Sequence, residues 1–250
     1  MRYFIQLSYN GGAYHGWQIQ PNAVTVQETI QEALSIVLNI QVSITGAGRT
    51  DTGVHASQMF AHFDVDKIID TQNLTFKLNS FLPKDIAIQS IFRVNDDAHT
   101  RFHAVKRSYD YKISLKKNVF LFDYSHYMHQ NLDVQKMNEA ADILLEYQDF
   151  QCFSKSNTDV KTYNCKIEYA QWKQDNDMLI FTISADRFLR NMVRAIVGTL
   201  VTIGLGKAKV EDMHRIIASK DRSEAGFSVP AKGLYLTEVL YPESIQANNK

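Results

Sequence analysis

The order of the predicted elements, β-α-β-β-α-β in the first hundred residues and the same again afterwards, most constrains the fold. Residues 2–9 alternate apolar and polar side chains, which predicts a strand. Thr25 and Glu28 have capping-box spacing and precede apolar residues at helical spacing. The remaining elements predicted for the first half are strands at 41–45, 56–65 and 86–92 and a helix at 72–80.

The second half begins with another alternating stretch, residues 105–113. Further elements predicted there are a helix at 133–146, strands at 163–173 and 178–185, helices at 187–203 and 209–219, and a strand at 234–240. We therefore expect an α+β protein with two ferredoxin-like β-α-β-β-α-β units, mainly antiparallel sheets and a central cleft. The expected units are 1–104 and 105–250, and the repeat rests on element order alone.

Charge and cysteine content narrow the possible partners. The formal net charge is zero, and the first hundred residues carry 6 Lys and Arg against 9 Asp and Glu. An RNA partner would therefore have to be held by local patches rather than by a global field. Cys152 and Cys165 form no disulfide framework, which favours a reducing compartment. The apolar run 195–205 is too short to span a bilayer, so we expect a cytoplasmic protein with no membrane partner.

The stretch TGAGRTDTGVHAS, residues 45–57, carries three glycines around an arginine and an aspartate. It matches neither a dinucleotide fingerprint nor a P-loop, because the third glycine is misplaced and no lysine follows. As a pattern alone, the glycines favour a connection with residues at positive φ.

A loop that only connects two strands needs glycine but does not explain the presence of Arg49 and Asp51. Residues two apart in an extended segment project to the same side, so the two side chains could pair and hold the carboxylate ionised. Such a carboxylate on a flexible loop is suited to act as a nucleophile or base. Asp51 with His55, together with the pair His62 and Asp64, is a poor metal signature, and we expect no metal.

Two tyrosines share one face of the strand predicted at 105–113. Tyr111, next to Ile113, is expected to pack in the core. Tyr109 lies nearer the start of the strand beside Arg107, where its ring could stack on an exposed base.

Three arginines, Arg187, Arg190 and Arg194, have i, i+3, i+7 spacing in the helix predicted at 187–203. Such a stripe is usually a solvated face. Because this segment contains three arginines and no lysine, the pattern favours instead the recognition of a carboxylate or phosphate. Arg194 is expected to be partly buried, where it would need an anionic partner.

Taken together, these segments resemble the TruA family of bacterial tRNA pseudouridine synthases. The resemblance extends along most of the chain, through YHGWQIQP, GRTDTGVHA, LNSFLPKDI, RFHAVKRSYDY, FLRNMVRAIVGTL and GLYL. It implies an isomerase that converts uridine to pseudouridine at positions 38–40 (tRNA numbering) of the anticodon stem-loop. It also implies base flipping, a homodimer with tRNA as its partner, and no cofactor.

Residue by residue, the resemblance implies that Asp51 is the catalytic aspartate and that Arg194 forms an ion pair with it. Tyr109 would pack on the target uracil, and Arg49 would guide RNA near the flipped base. Arg187 and Arg190 remain candidates for substrate binding from their residue type. His55 is given a structural, hydrogen-bonding role in the loop.

Two other classes of protein stay open from the residues. A non-catalytic tandem RNA-binding protein would share the element order, but the chain has no GFGF-like central strand. A nucleotide-hydrolysing enzyme would use the glycine loop and bind free nucleotide tightly.

Overall fold

The computed structural model describes residues 1–155 and 160–247, which adopt a mixed α/β fold with mainly antiparallel sheet structure. The chain groups into two compact units. Unit 1 contains Met1–Lys106 and the segment from Leu236 onward, and unit 2 contains Arg107–Tyr235. That the units are ferredoxin-like, and that the division lies between residues 104 and 105, stay predictions.

Unit 1 is arranged around its first strand. Its elements are β1 (Arg2–Tyr9), α1 (Val26–Leu38), β2 (Thr45–Gly46), β3 (His55–Asp64), α2 (Thr71–Phe81) and β4 (Ile86–Val94). Strand β1 lies between β3 and β4 and is antiparallel to both, while β2 pairs with β3. The predicted strand at 41–45 is wrong in extent, because only Thr45–Gly46 pairs with a neighbour there.

Side-chain caps begin both helices of unit 1. The Thr25 hydroxyl accepts the backbone N–H of Glu28, as the capping-box spacing predicts. An aspartate, Asp70, accepts the N–H of Asn73 at the start of α2. These bonds satisfy N–H groups that have no partner within the helix.

The C-terminal segment belongs to unit 1 because it covers one face of β1. Phe4 is fully buried, and its ring centroid lies 5.2 Å from that of Tyr241. The Tyr241 hydroxyl donates to the carbonyl of Thr100 at 2.7 Å. Strand β1 is thus buried on both faces along Tyr3–Ile5, although its alternation predicts one apolar face.

Unit 2 contains most of the remaining elements. They are β5 (Lys106–Ser114), β6 (His126–Tyr127), α3 (Val134–Ile143), β7 (Ile167–Asp175), β8 (Met178–Ala185), α4 (Met192–Gly204), α5 (Asp212–Ser219) and β9 (Leu234–Leu240), which ends in unit 1. Strand β8 pairs antiparallel with β5 and with β7, and β6 pairs parallel with the end of β5.

The helix predicted at 187–203 begins five residues later than expected, at Met192. Asn191 adopts a left-handed backbone with φ of 67°, which interrupts the helix, and its amide donates to the Ser228 hydroxyl at 2.7 Å. Arg187 and Arg190 therefore lie in the connection before the helix. The prediction of a three-arginine stripe on one helix is wrong.

In the parts of the chain that the structure describes, every helix is too short or too polar to cross a membrane. The cytoplasmic location stays a prediction.

The buried His62 predicts how stability depends on pH. Its Nδ1 lies 2.8 Å from the Thr100 hydroxyl, and burial, with a smaller effect from the Arg2 charge, lowers its pKa to about 4. The unfolded chain, with a histidine pKa near 6.5, takes up this proton at higher pH than the folded chain. The contribution of His62 to stability is therefore complete above about pH 7.5, and up to about 2 kcal/mol of it is lost as the pH falls to 5.

Replacing His62 by Gln removes this titration. Urea unfolding of both proteins at pH 5.0, 6.0 and 7.0 measures the difference. As the pH falls, we expect the free energy of unfolding to decrease less in His62→Gln than in the wild type. Equal decreases in the two proteins would contradict the role of His62 in this pH dependence.

Candidate active site

The predicted aspartate lies on the connection between β2 and β3, which we call the aspartate loop (residues 47–54). The Asp51 side chain is half-buried and that of Arg49 is exposed. Thr50, between them, is buried, and its hydroxyl lies 2.9 Å from the Tyr9 hydroxyl at the end of β1. The loop thus buries its middle residue and leaves its two charged residues accessible.

A tight turn follows the aspartate. The Val54 N–H donates to the Asp51 carbonyl at 3.1 Å, and Gly53 within this turn has φ of 79°. A residue with a side chain rarely adopts that angle, so glycine is required there. The turn fixes the backbone of Asp51 immediately before β3.

A second segment, residues 10–17, holds the aspartate loop from its N-terminal side, and we call it the N-terminal clamp. Trp17 N–H donates to the Thr50 carbonyl at 3.3 Å, and Gly53 N–H donates to the Tyr14 carbonyl at 3.3 Å. These bonds lie on the two sides of Asp51 in sequence. The carboxylate is therefore carried on a backbone whose position is set from both sides.

The clamp is itself anchored at the start of β4. The Tyr14 hydroxyl donates to the Asp85 carboxylate at 2.8 Å, and Asn10 N–H donates to the Asp85 carbonyl at 2.9 Å. Burial raises the pKa of Tyr14, and the hydrogen bond to Asp85 and the charge of that carboxylate raise it further. Sequence reasoning missed this contact, although YHGWQIQP and LNSFLPKDI both stand out as motifs.

His55 closes the loop on its other side. It is 2% exposed, and its Nδ1 accepts the backbone N–H of Gly11 at 3.1 Å. A ring nitrogen that accepts a hydrogen bond carries no proton. The hydrogen-bonding role predicted for His55 is confirmed.

The glycine pattern of the loop has a different cause from the one predicted. Of the three glycines in residues 45–57, Gly53 has positive φ and Gly46 and Gly48 do not. A Cβ on Gly46 would lie 2.4 Å from Nε1 of the buried Trp17 ring, whereas a Cβ on Gly48 would meet nothing within 4 Å. Gly46 is therefore required by a close approach, and positive φ is the wrong explanation for it.

These two glycines form a matched pair for mutation. Gly46→Ala forces the Trp17 ring or the β2 backbone to move, and we expect it to lower the free energy of unfolding by about 1–3 kcal/mol. Gly48→Ala should change it by less than about 0.5 kcal/mol. Urea denaturation measures both, and equal effects would contradict the packing argument.

In unit 2, the two tyrosines of β5 differ as predicted. Tyr111 is fully buried, its hydroxyl donates to the Pro230 carbonyl at 2.9 Å, and burial raises its pKa. Tyr109 is half-exposed, and its ring lies edge-on to Phe188, with the centroids 5.1 Å apart. The core position of Tyr111 is confirmed, and Tyr109 has accessible ring surface.

Arg194 is the charged residue of the largely buried helix α4 and is itself half-buried. Its Nε donates to the Val229 carbonyl at 2.7 Å, and the Val229 N–H donates to the Arg194 carbonyl at 3.3 Å. Its positive charge also acts on the Tyr111 hydroxyl, where it opposes part of the rise in pKa caused by burial. The partly buried position predicted for Arg194 is confirmed.

The predicted site residues fall in both units. Unit 1 holds Asp51 and Arg49, and unit 2 holds Tyr109, Arg194, Arg187 and Arg190. Arg190 is exposed and Arg187 is half-exposed. Burial raises the pKa of the Cys165 thiol, and the Arg187 charge opposes part of that rise. Arg49 forms no hydrogen bond or ion pair with any residue that the structure describes, so the direct Arg49–Asp51 pair is wrong.

Among residues 1–155 and 160–247, no three His, Cys, Asp or Glu side chains converge as metal ligands would. The groups that this site offers for chemistry are a half-buried carboxylate on a fixed loop and an exposed arginine two residues before it. Such a carboxylate suits nucleophilic or general-base catalysis, the chemistry of an enzyme active site.

The particular family follows from comparison with known proteins. The family model described as tRNA pseudouridine synthase matches residues 6–103 and 140–242, so the chain belongs to this family of isomerases. The chain is 51% identical over 245 residues to a tRNA pseudouridine synthase A of Parabacteroides distasonis, covering 98% of this chain and 97% of the relative.

Two further relatives carry the same name. The protein of Bacteroides fragilis is 51% identical over 246 residues, with 98% of each chain covered. That of a Thermoanaerobacter species is 40% identical over 244 residues, with 95% of this chain and 98% of the relative covered. The resemblance found in the sequence is confirmed.

Proposed function

We propose that this chain isomerises uridine to pseudouridine at positions 38–40 of the tRNA anticodon stem-loop, with Asp51 as the reacting carboxylate. The observation that carries the proposal is the fixed position of Asp51. Its backbone neighbours are hydrogen-bonded to Trp17 and Tyr14, while the side chain stays half-exposed. A preorganised carboxylate that an incoming base can reach is what this chemistry requires.

The reaction breaks the N1–C1′ glycosidic bond, turns the uracil and joins it to C1′ through C5. The proton that leaves C5 passes to solvent and N1 gains one, so the product is an isomer of the substrate and needs no external oxidant. Asp51 either attacks C1′ or removes a sugar proton in a glycal route. Both routes need the carboxylate to be ionised and held close to the sugar.

The target base must leave its stack, which costs a few kcal/mol. We assign Arg49, exposed beside Asp51, to the space that the flipped base leaves. The half-exposed Tyr109 ring can cover one face of a uracil. The exposed Arg190 and the half-exposed Arg187 suit contacts with phosphate.

Arg194 is assigned by the family resemblance as the ionic partner of Asp51. The fold supplies an arginine whose Nε is already bonded to a carbonyl, which limits the positions open to the rest of its guanidinium. Homodimer formation and the ferredoxin-like nature of each unit are part of the same proposal.

Substituting Asp51 by Asn tests the reacting group. The amide is nearly isosteric but neither attacks C1′ nor accepts a proton at neutral pH. We expect unchanged folding, retained binding of tRNA and a loss of at least about 10³-fold in turnover. Release of tritium from [5-³H]uridine in an unmodified tRNA transcript measures the turnover, and chemical mapping of pseudouridine locates the product.

Wild-type turnover in Asp51→Asn would contradict the catalytic assignment. Pseudouridine at positions other than 38–40 would contradict the proposed specificity. A wild-type protein that binds tRNA and forms no pseudouridine would favour the non-catalytic RNA-binding alternative.

Substituting Arg194 separates an ionic role from a structural one. Arg194→Met keeps a long side chain but loses the hydrogen bond to Val229, which we expect to cost about 1 kcal/mol of stability. Turnover should fall by at least about 10²-fold, and Arg194→Lys, which keeps the charge, should recover part of it. Thermal unfolding and tritium release are measured on the same preparations. Equal activity in the Met and Lys variants would contradict an ionic role.

A further inference from the structure

A short connection in unit 2 displays apolar side chains to solvent. Between β5 and β6, Val119, Phe120 and Phe122 are 74%, 84% and 62% exposed. We call these three side chains, with Lys117 and Lys232, the Phe120 surface. Exposed apolar residues so close together typically mark an interaction site.

The backbone beneath this surface is ordered. The Asn118 side chain accepts the Phe120 N–H at 2.9 Å, and the Tyr124 N–H donates to the Leu121 carbonyl at 3.0 Å. The buried Ser125 donates its hydroxyl to the same Leu121 carbonyl at 2.9 Å. The aromatic rings therefore project from a folded turn, and binding a partner would not require ordering it first.

Lys232, just before β9, and Tyr235, within β9, hold the turn from a second direction. The Lys232 ammonium donates a hydrogen bond to the Phe122 carbonyl, and the Tyr235 hydroxyl donates one to the Tyr124 carbonyl at 2.7 Å. The Lys232 Nζ also lies 3.9 Å from the centroid of the Phe122 ring. Phe120, by contrast, keeps most of its ring surface open to solvent.

The charges around these rings favour an anionic partner. Lys116 and Lys117 precede the turn and are exposed, and Lys112 Nζ lies 4.0 Å from the centroid of the Tyr235 ring. With Lys232 they make four lysines, against Asp123 in the turn and Asp177, which pairs with Lys116 at 3.0 Å. Rings among lysines are typical of surfaces that bind single-stranded nucleic acid, where bases stack and phosphates meet the cations.

We propose that the Phe120 surface binds an unpaired nucleotide of the tRNA other than the reacting uridine, with a base stacked on Phe120 and a phosphate near Lys117. The identity of the RNA rests on the proposed function. The stacking itself rests on the exposed ring and its fixed turn. A chain without net charge has to hold RNA through local clusters such as this one.

The test uses the full chain and an unmodified tRNA transcript, with Kd measured by filter binding. Phe120→Ala should weaken binding about tenfold, and Phe120→Trp should restore it, because stacking needs an aromatic ring. Phe120→Leu should bind as weakly as the Ala variant. A Leu variant that binds like the wild type would overturn the stacking proposal.

Helix α2 of unit 1 provides matched controls, because Phe76 and Lys77 are also exposed. Phe76→Ala and Lys77→Gln should leave Kd unchanged. Lys117→Gln should reduce the slope of log Kd against log salt by about 1, as expected for one lost phosphate contact. An unchanged slope would remove Lys117 from the proposal.

Two other results have distinct meanings. If Phe120→Ala leaves Kd unchanged but dissociates an oligomer in sedimentation velocity, the surface joins copies of the chain, and the proposal is overturned. If the wild type binds tRNA but makes no pseudouridine, the proposed function fails while the stacking proposal is still decided by the Phe120 variants.

Discussion

The contact between the N-terminal clamp and the aspartate loop is the constraint on which the candidate site depends. A loop rich in glycine has many conformations, and fixing each of its residues costs about 1–2 kcal/mol. Three hydrogen bonds between the clamp and the loop region offset this cost on both sides of Asp51. They join Trp17 to Thr50, Gly53 to Tyr14, and Gly11 to His55. The buried Trp17 ring, seated against Gly46, adds apolar burial to the same contact.

This arrangement explains how one carboxylate can be both accessible and precisely placed. The clamp forms hydrogen bonds with the Thr50 carbonyl and the Gly53 N–H of the loop. The Asp51 side chain therefore does not have to bond to these backbone groups. Thr50 and His55 serve the same end, since both are buried and hydrogen-bonded. The catalytic role proposed for Asp51 requires in addition that substrate reach the carboxylate and that Arg194 pair with it.

Unit 2 also places a charged side chain, that of Arg194, in largely buried surroundings. Helix α4 is buried along nearly all of its length, and a cation in such a place must be hydrogen-bonded. The Val229 carbonyl supplies one partner for Arg194. On either side of Val229, the Asn191 amide donates to the Ser228 hydroxyl and the Tyr111 hydroxyl donates to the Pro230 carbonyl. Asn191, the residue immediately before α4, thus bonds to the neighbour of the residue that binds the arginine of the helix.

The sequence by itself determined the elements whose signals are local. The alternation of residues 2–9 specified β1, the Thr25–Glu28 spacing specified the start of α1, and the motifs specified the family. The tertiary structure decided what depends on residues far apart in sequence. The Trp17 ring leaves no room for a side chain at residue 46, and the Gly11 N–H is the hydrogen-bond partner of His55. Ser228 accepts a hydrogen bond from Asn191, the residue just before α4. Periodicity and capping act over a few residues, whereas close approaches and shared hydrogen bonds arise only when distant segments pack together.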